Sequence, residues 1–453
     1  MPKNIKTEYS KFIKNKKFHN AQAGFKPLWM PDFLFDFQKE ITEWAVHKGR
    51  AALFEDCGLG KTPQQLVWAQ NVVQKTNRRV LIVTPLAVSH QTLREADKFQ
   101  IKARRSPDGR LKKGINVTNY ERLKLFDPSK LSGFVADESS ILKHEDAKTR
   151  KLITEFVRKV PYRLLCTATP APNDFMELGT SAEALGVMGY NQMLAMFFTH
   201  CSDNTSQWLL KAHAKKRFWE WVSTWAKAIR RPCDIGYKDG QFKLPSLEYI
   251  RHIVKSPLGN KMLFARPAVS MDEQRKERKG SLTRRCEQVA HLVSEYYKEP
   301  WVLWTHLNAE ADLLEKIIPK SAQVCGSMSD DEKEERFIAF ADGQIKHLIT
   351  KPKIGGFGMN WQHCWNVSYF PDDSYEKFYQ CVRRCWRFGQ AHKVLCHIVS
   401  SDRQSRMVQN MLRKERQALE MYDGIIRNMS EFQNNKKQPD NNRTEKVEIP
   451  LWL

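Results

Sequence analysis

Three short stretches of this 453-residue sequence carry side chains whose types and spacing suit phosphoryl chemistry. The first is Asp56-Cys57-Gly58-Leu59-Gly60-Lys61-Thr62. Gly58 and Gly60 permit a tight turn, and backbone amides opening the next helix cradle phosphate oxygens. Lys61 then reaches the β- and γ-phosphates, and Thr62 ligates Mg2+. Glu55 stands where the general G-x-x-x-x-G-K-[ST] pattern has its first glycine. The second stretch is Asp137-Glu138-Ser139-Ser140, directly after an apolar run. There Asp137 is expected to hold Mg2+ and Glu138 to polarise an attacking water. An isolated Asp-Glu pair more often caps a helix or faces solvent; the phosphate loop upstream favours the catalytic reading. The third runs from Gln380 to Gln390 (QCVRRCWRFGQ). On one continuous helix Gln380, Arg384 and Arg387 fall within an arc of about 60°. Two adjacent arginines with no acid beside them need an anion to face. A γ-phosphate held elsewhere in the chain fits, and such an arginine finger is worth ~10³–10⁵ in rate. On spacing alone, a basic surface helix is the alternative.

Elements that position these residues are legible as alternating apolar runs and amphipathic segments, the pattern of a parallel α/β layer. Runs at 51–54, 80–83, 134–136 and 163–166 read as buried strands. A second series follows at 302–304, 323–325, 347–349, 366–369 and 394–398. Between about Phe175 and Arg231 the strand signal vanishes, and Trp208, Trp219, Trp221 and Trp225 lie among lysines and arginines. They serve either as core or as a stacking platform for bases, with core favoured by their near-helical spacing. The resulting division is a basic arm (1–31), a first α/β lobe (32–175), a helical insertion (176–235), a second lobe (236–433) and a polar tail (434–453). The arm is either a solvated tail or a nucleic-acid contact, and the apolar run 449–453 is a candidate anchor.

Composition narrows the partners. Lys plus Arg number 74 against 51 Asp plus Glu, a net charge of +23 that favours a polyanion, nucleic acid first and an anionic membrane surface second. With 41% hydrophobic residues the chain is neither disordered throughout nor collagen-like. Ten cysteines without a CxxC pair are too few for a disulfide scaffold and lack zinc-ligand spacing, even with His392 and His397 near Cys381, Cys385 and Cys396. Reduced thiols in a cytoplasmic compartment are the expectation. The basic N-terminus has no apolar segment after it, and the uncharged stretch 184–202 carries Asn191, Gln192 and His200, which suits a buried helix pair better than a membrane span.

In their order along roughly 33–400, these motifs resemble the superfamily-two helicase-like ATPases, specifically the Swi/Snf-type branch of DNA translocases. Phe37-Gln38 is similar to that family's adenine-contacting motif, so the resemblance implies a nucleotide role for Gln38. It implies the same for Gly58, Gly60, Lys61, Thr62, Asp137, Gly358 and Gln380, with Thr62 and Asp137 as Mg2+ ligands. Lys61, Glu138, Arg384 and Arg387 take the catalytic roles. Thr84, Pro85 and Asn119 match strand-contacting motifs, Thr350 and Lys351 a motif linking nucleic acid to ATP, and Thr167 and Thr169 the motif coupling hydrolysis to lobe movement. Arg230-Arg231 followed by Leu244-Pro245 is similar to the junction of this branch. Two departures stand out: Ser139-Ser140 replaces the usual Ala-His, and Asp373-Ser374-Tyr375 the usual Trp-Asn-Pro. Short insertions and the lack of a chromatin-reader segment suggest a minimal motor of the bacterial or phage kind. The resemblance thus implies two tandem RecA-like P-loop lobes, parallel sheets flanked by helices, that use ATP and Mg2+ to translocate on double-stranded DNA. An RNA or single-strand helicase, the motor subunit of a restriction or repair assembly, and a non-hydrolysing nucleic-acid scaffold are the alternatives.

Overall fold

Strands that are apolar on both faces are stable only in a sheet covered on both sides. The computed structural model, which describes residues 23–85, 88–141, 147–200, 208–256, 271–356 and 360–436, contains two such sheets. The first comprises β1 (Arg50–Glu55), β2 (Arg79–Thr84), β3 (Ala103–Arg105), β4 (Gly114–Asn119), β5 (Leu131–Asp137), β6 (Tyr162–Cys166) and β9 (Ala226–Ile229) in the order β3-β4-β2-β5-β6-β1-β9. Every neighbouring pair is parallel. The second comprises β10 (Leu247–Val254), β11 (Trp301–Trp304), β12 (Ser321–Val324), β13 (His347–Thr350), β14 (Asn366–Tyr369) and β15 (Val394–Ser401) in the order β10-β15-β14-β11-β13-β12, again parallel throughout. Two RecA-like lobes, as expected from the sequence, are therefore present.

Parallel strands bring all their carboxyl ends to one edge, where such sheets bind ligands. Glu55, Thr84, Asn119 and Asp137 end β1, β2, β4 and β5, and the segment Thr167–Pro170 follows β6. In this way residues far apart in sequence reach one rim.

The expectation of a purely helical 176–235 is corrected by the structure. Helices Leu178–Leu185, Tyr190–Phe197 and Lys215–Ser223 are there, but so are β7 (Phe198–His200) and β8 (Trp208–Leu210), an antiparallel hairpin, and β9, which pairs with β1. β9 is only AKAI, too short and too mixed for its period to be read. Its strand conformation comes from the open edge of β1. Trp219, Trp221 and Trp225 are buried in the core behind it, so those three are not a stacking platform; Trp208 is half-buried against His200 at 3.8 Å.

The long helix Ser405–Lys436 begins in the second lobe and ends in the first. Val408, Met411 and Ala418 belong to the core of the second sheet, whereas Met421, Tyr422, Ile425 and Met429 lie in the same core as Trp219 and Trp225. Among the described residues no helix is long and apolar enough to cross a membrane. Residues 1–22 of the basic arm, Gly358, and the tail from 437 with its apolar run 449–453 lie outside the described residues.

Candidate active site

The phosphate loop leaves β1 at Glu55 and turns into the helix Lys61–Thr76. Gly58 and Gly60 have φ of +90° and +83°, the left-handed region in which a side chain is strained. Space enforces glycine as well, since a Cβ on Gly60 would lie 2.3 Å from Gln38 Nε2. Gln38 is buried against this turn, its Nε2 donating to Leu59 O at 2.7 Å and its Oε1 accepting from Phe35 N at 3.0 Å. Lys61 folds back on its own loop, donating to Glu55 O at 2.8 Å and Asp56 O at 3.2 Å. Among the described residues, these main-chain carbonyls are the hydrogen-bond partners of its ammonium. Thr62 is half-buried in the first turn of the helix.

Across the rim, Asp137 closes β5 and accepts from Gln65 Nε2 at 2.7 Å, while Tyr120 Oη donates to its carbonyl at 2.7 Å. Glu138 follows with φ of +50°, a strained conformation for a residue with a Cβ, and accepts from Thr167 Oγ1 at 3.4 Å. Burial pushes the Glu138 carboxyl up to about 7; Lys61 and Arg384 oppose this, and Asp137 and Glu376 add to it. Burial likewise raises Asp137 and takes Glu55 up to about 7. If Glu138 is the water-activating base that the sequence leads one to expect, it must lose its proton to work. We therefore expect kcat/KM for ATP to rise about tenfold per pH unit up to about 7 and then level off, because only the ionised form below that point accepts a proton. A profile flat from pH 5.5 to 8.5 would remove Glu138 from the base role.

The second lobe contributes the helix Tyr375–Cys385. Arg384 is bonded to Gln380 twice, Nε to the carbonyl at 3.1 Å and Nη2 to Oε1 at 3.0 Å, and its charge is felt at Glu138. The helix stops at Cys385, so Arg387 does not share its face with Gln380 and Arg384 as continuous helical spacing implies. A turn closed by Gly389, with φ of +92°, carries Arg387 instead. That turn lies on the phosphate loop: a Cβ on Gly58 would meet Phe388 at 2.9 Å and Arg387 Nε at 3.7 Å. Arg387 donates to Asn360 Oδ1 in the same lobe. Thr169 N donates to Thr167 Oγ1 at 3.0 Å, and Thr169 Oγ1 reaches Glu376 of the second lobe at 3.1 Å.

Other residues singled out by sequence lie on the rim with their side chains turned inward. Thr84 Oγ1 donates to Pro85 O at 3.0 Å, Asn119 Oδ1 accepts from Arg122 N at 3.2 Å, and Thr350 Oγ1 donates to Val324 O at 3.2 Å. Lys351 donates to Asn308. His392 lies against Trp365 with the rings tilted by 31°, and His397 pairs with His252 at 3.0 Å; among the described residues no three His, Cys, Asp or Glu side chains converge as metal ligands. Sequence reasoning missed three participants at the interlobe boundary: Asp56, Tyr379 and Arg383. The one signal was the arginine pair Arg383-Arg384 without a local acid, and the acid it wanted is Asp56 from the other lobe.

Residues 37–216 match the family described as SNF2-related domain. The match covers most of the first lobe and stops short of β9. No curated protein matches significantly. Among solved structures the chain is similar to a Sulfolobus solfataricus SWI2/SNF2 ATPase core in complex with dsDNA, at 16% identity over 86% of this chain and 96% of that one, with a TM-score of 0.41. The two-lobe assignment rests on the strand pairing itself.

Proposed function

We propose that this SNF2-related protein is a DNA-stimulated ATPase that translocates on double-stranded DNA. The observation that carries this reading is the convergence, at one cleft, of a phosphate loop, an Asp137-Glu138 pair and two arginines from the opposite lobe. The residues fit Mg2+ and ATP. Two left-handed glycines shape the turn, and among the described residues Lys61 bonds only carbonyls of its own loop and Gln380 Nε2 is buried without a hydrogen-bond partner. In this reading Gly58, Gly60 and Lys61 hold the phosphates, Thr62 and Asp137 hold the metal, and Gln38 braces the loop beside the base. When bound, Mg2+·ATP supplies the electrophilic γ-phosphorus. Glu138 takes the proton of the attacking water, while Arg384 and Arg387 face the charge that builds up in the transition state. Because the groups come from two lobes, hydrolysis is gated by closure, and a nucleic acid lying across both rims at Thr84-Pro85, Asn119 and Thr350-Lys351 biases that closure.

A nucleic-acid partner is supported by charge. Beside the net +23, Lys102, Arg104, Arg105, Arg110, Lys112 and Lys113 cluster around β3. Their loop is held by Asn116, which accepts from Ser106 Oγ and Lys112 N, both at 3.0 Å, and donates to Lys112 O at 2.8 Å.

The deciding experiment is ATP hydrolysis by the full chain alone and with duplex DNA, single-stranded DNA or RNA, beside Lys61→Ala. Strong duplex stimulation that is lost in Lys61→Ala and weakens steeply with salt is the expected result. Stimulation by RNA or single strands instead would move the assignment to a helicase, and no hydrolysis with any of them would sink it.

A further inference from the structure

Arg383 takes no part in the chemistry above, yet it makes the most deeply buried charge contact between the lobes. Its Nη2 donates to Asp56 Oδ2, and the two side chains are 3% and 6% exposed. Nη1 donates to Trp386 O at 3.3 Å, and the guanidinium lies 4.2 Å from the Trp386 ring centroid and 5.3 Å from that of Tyr379. The other Asp56 oxygen accepts from Cys57 N at 2.6 Å and from the Tyr379 hydroxyl. A charge this deeply buried is tolerated only with its partner, so neither residue is neutral toward loss of the other.

The position of the pair matters more than its strength. Asp56 opens the phosphate loop, and its carbonyl is one of the two that Lys61 bonds. Arg383 sits beside Arg384 on the helix Tyr375–Cys385 and just before the turn that carries Arg387. Around the pair the lobes do not close into a packed wall. They leave a cavity of about 890 Å3 lined by Asp56, Arg383, Tyr379, Trp386, Phe242 and Tyr422, among others. Across such a gap a directional ion pair fixes register where apolar contact does not.

We propose that Asp56 and Arg383 form an interlobe tether, with Arg383 a positioning residue that registers the phosphate loop against the arginines of the second lobe. The consequence for turnover rests on the function proposed above; the existence of the tether does not. The test is a double-mutant cycle with Asp56→Asn, Arg383→Gln and the pair together, read by kcat, KM for ATP and thermal unfolding of the full chain. Each single variant leaves one buried charge alone and should lower both kcat and the melting temperature. The expected loss in kcat is about 10²-fold, the scale of a 1 Å misplacement, with KM changed less than about threefold. The neutral double variant should melt above the worse single and lose no more kcat than it. Effects that simply combine, or kcat unchanged while melting is coupled, would overturn the positioning role. If the wild-type protein hydrolyses no ATP, the function proposal falls by itself. Coupled melting then still supports the tether, and independent melting removes it too.

Discussion

Glu138→Gln is expected to lower ATP turnover by about 10²–10⁴-fold, the contribution of a positioned general base, while leaving nucleotide binding intact. The amide keeps the shape of the carboxyl and can still accept from Thr167 Oγ1, but it cannot take a proton from water. Burial already holds the native carboxyl near neutrality, and Asp137 beside it raises it further, so replacing it removes an unfavourable charge. The variant should therefore be at least as stable as the wild type, which separates a chemical defect from an unfolded one. Phosphate release measured beside ATP binding and thermal unfolding checks this. A kcat within about tenfold of wild type would assign the water to another group, because a true base loses more than that.

The candidate site was legible in the sequence because its motifs depend on local order. A glycine-rich turn after a strand and an acid pair after a strand need no knowledge of distant partners. Parallel topology then carries Lys61 and Glu138 to one rim, since both follow strands whose carboxyl ends point the same way. Arg387 was placed on the right side of the cleft for a partly wrong reason, as the helix that was to present it ends at Cys385 and a turn does the work. Contacts made across the lobes were not legible. Nothing in the neighbourhood of Arg383 announces Asp56, 327 residues earlier in the chain. β9 was invisible because four residues have no usable period, and only the free edge of β1 makes them a strand.

The helix Ser405–Lys436 shows the same limit from another side. Its buried apolar residues Met407, Val408, Met411, Ala418, Met421, Tyr422, Ile425 and Met429 fall at helical spacings, with one turn skipped at Glu415, which reads as one helix with one face. The period says nothing about the change of partner part-way along, from the second lobe's core to the first lobe's. Tyr422 Oη donates to Ala168 O at 2.7 Å, between Thr167 and Thr169, and Arg230 pairs with Asp423 at 2.6 Å. The last helix of the second lobe thus bonds the segment expected to couple hydrolysis to movement, and its C-terminal half packs in the first lobe's core.

Gly424 decides whether that docking exists in solution. In an exposed helix interior, replacing glycine by alanine stabilises by about 1 kcal/mol. Here a Cβ on Gly424 would lie 2.7–2.8 Å from three atoms of the Trp219 indole. The ring is buried, with Phe218 at 4.9 Å and Phe175 at 5.1 Å between centroids. Gly424→Ala is therefore expected to destabilise despite its helix propensity. Gly424→Leu should cost about 1–3 kcal/mol or more, as overpacking of a close contact does. In a cooperative unit the size of one lobe, roughly 200 residues, that lowers the melting temperature by about 2–4 °C per kcal/mol. Because the displaced turn carries Tyr422 and Asp423, Gly424→Leu should also weaken nucleic-acid stimulation of ATP hydrolysis more than the unstimulated rate. Urea or thermal unfolding of the two variants gives the sign directly. A Gly424→Ala protein more stable than wild type would mean that the helix does not rest on Trp219, and that the first lobe's core closes without it.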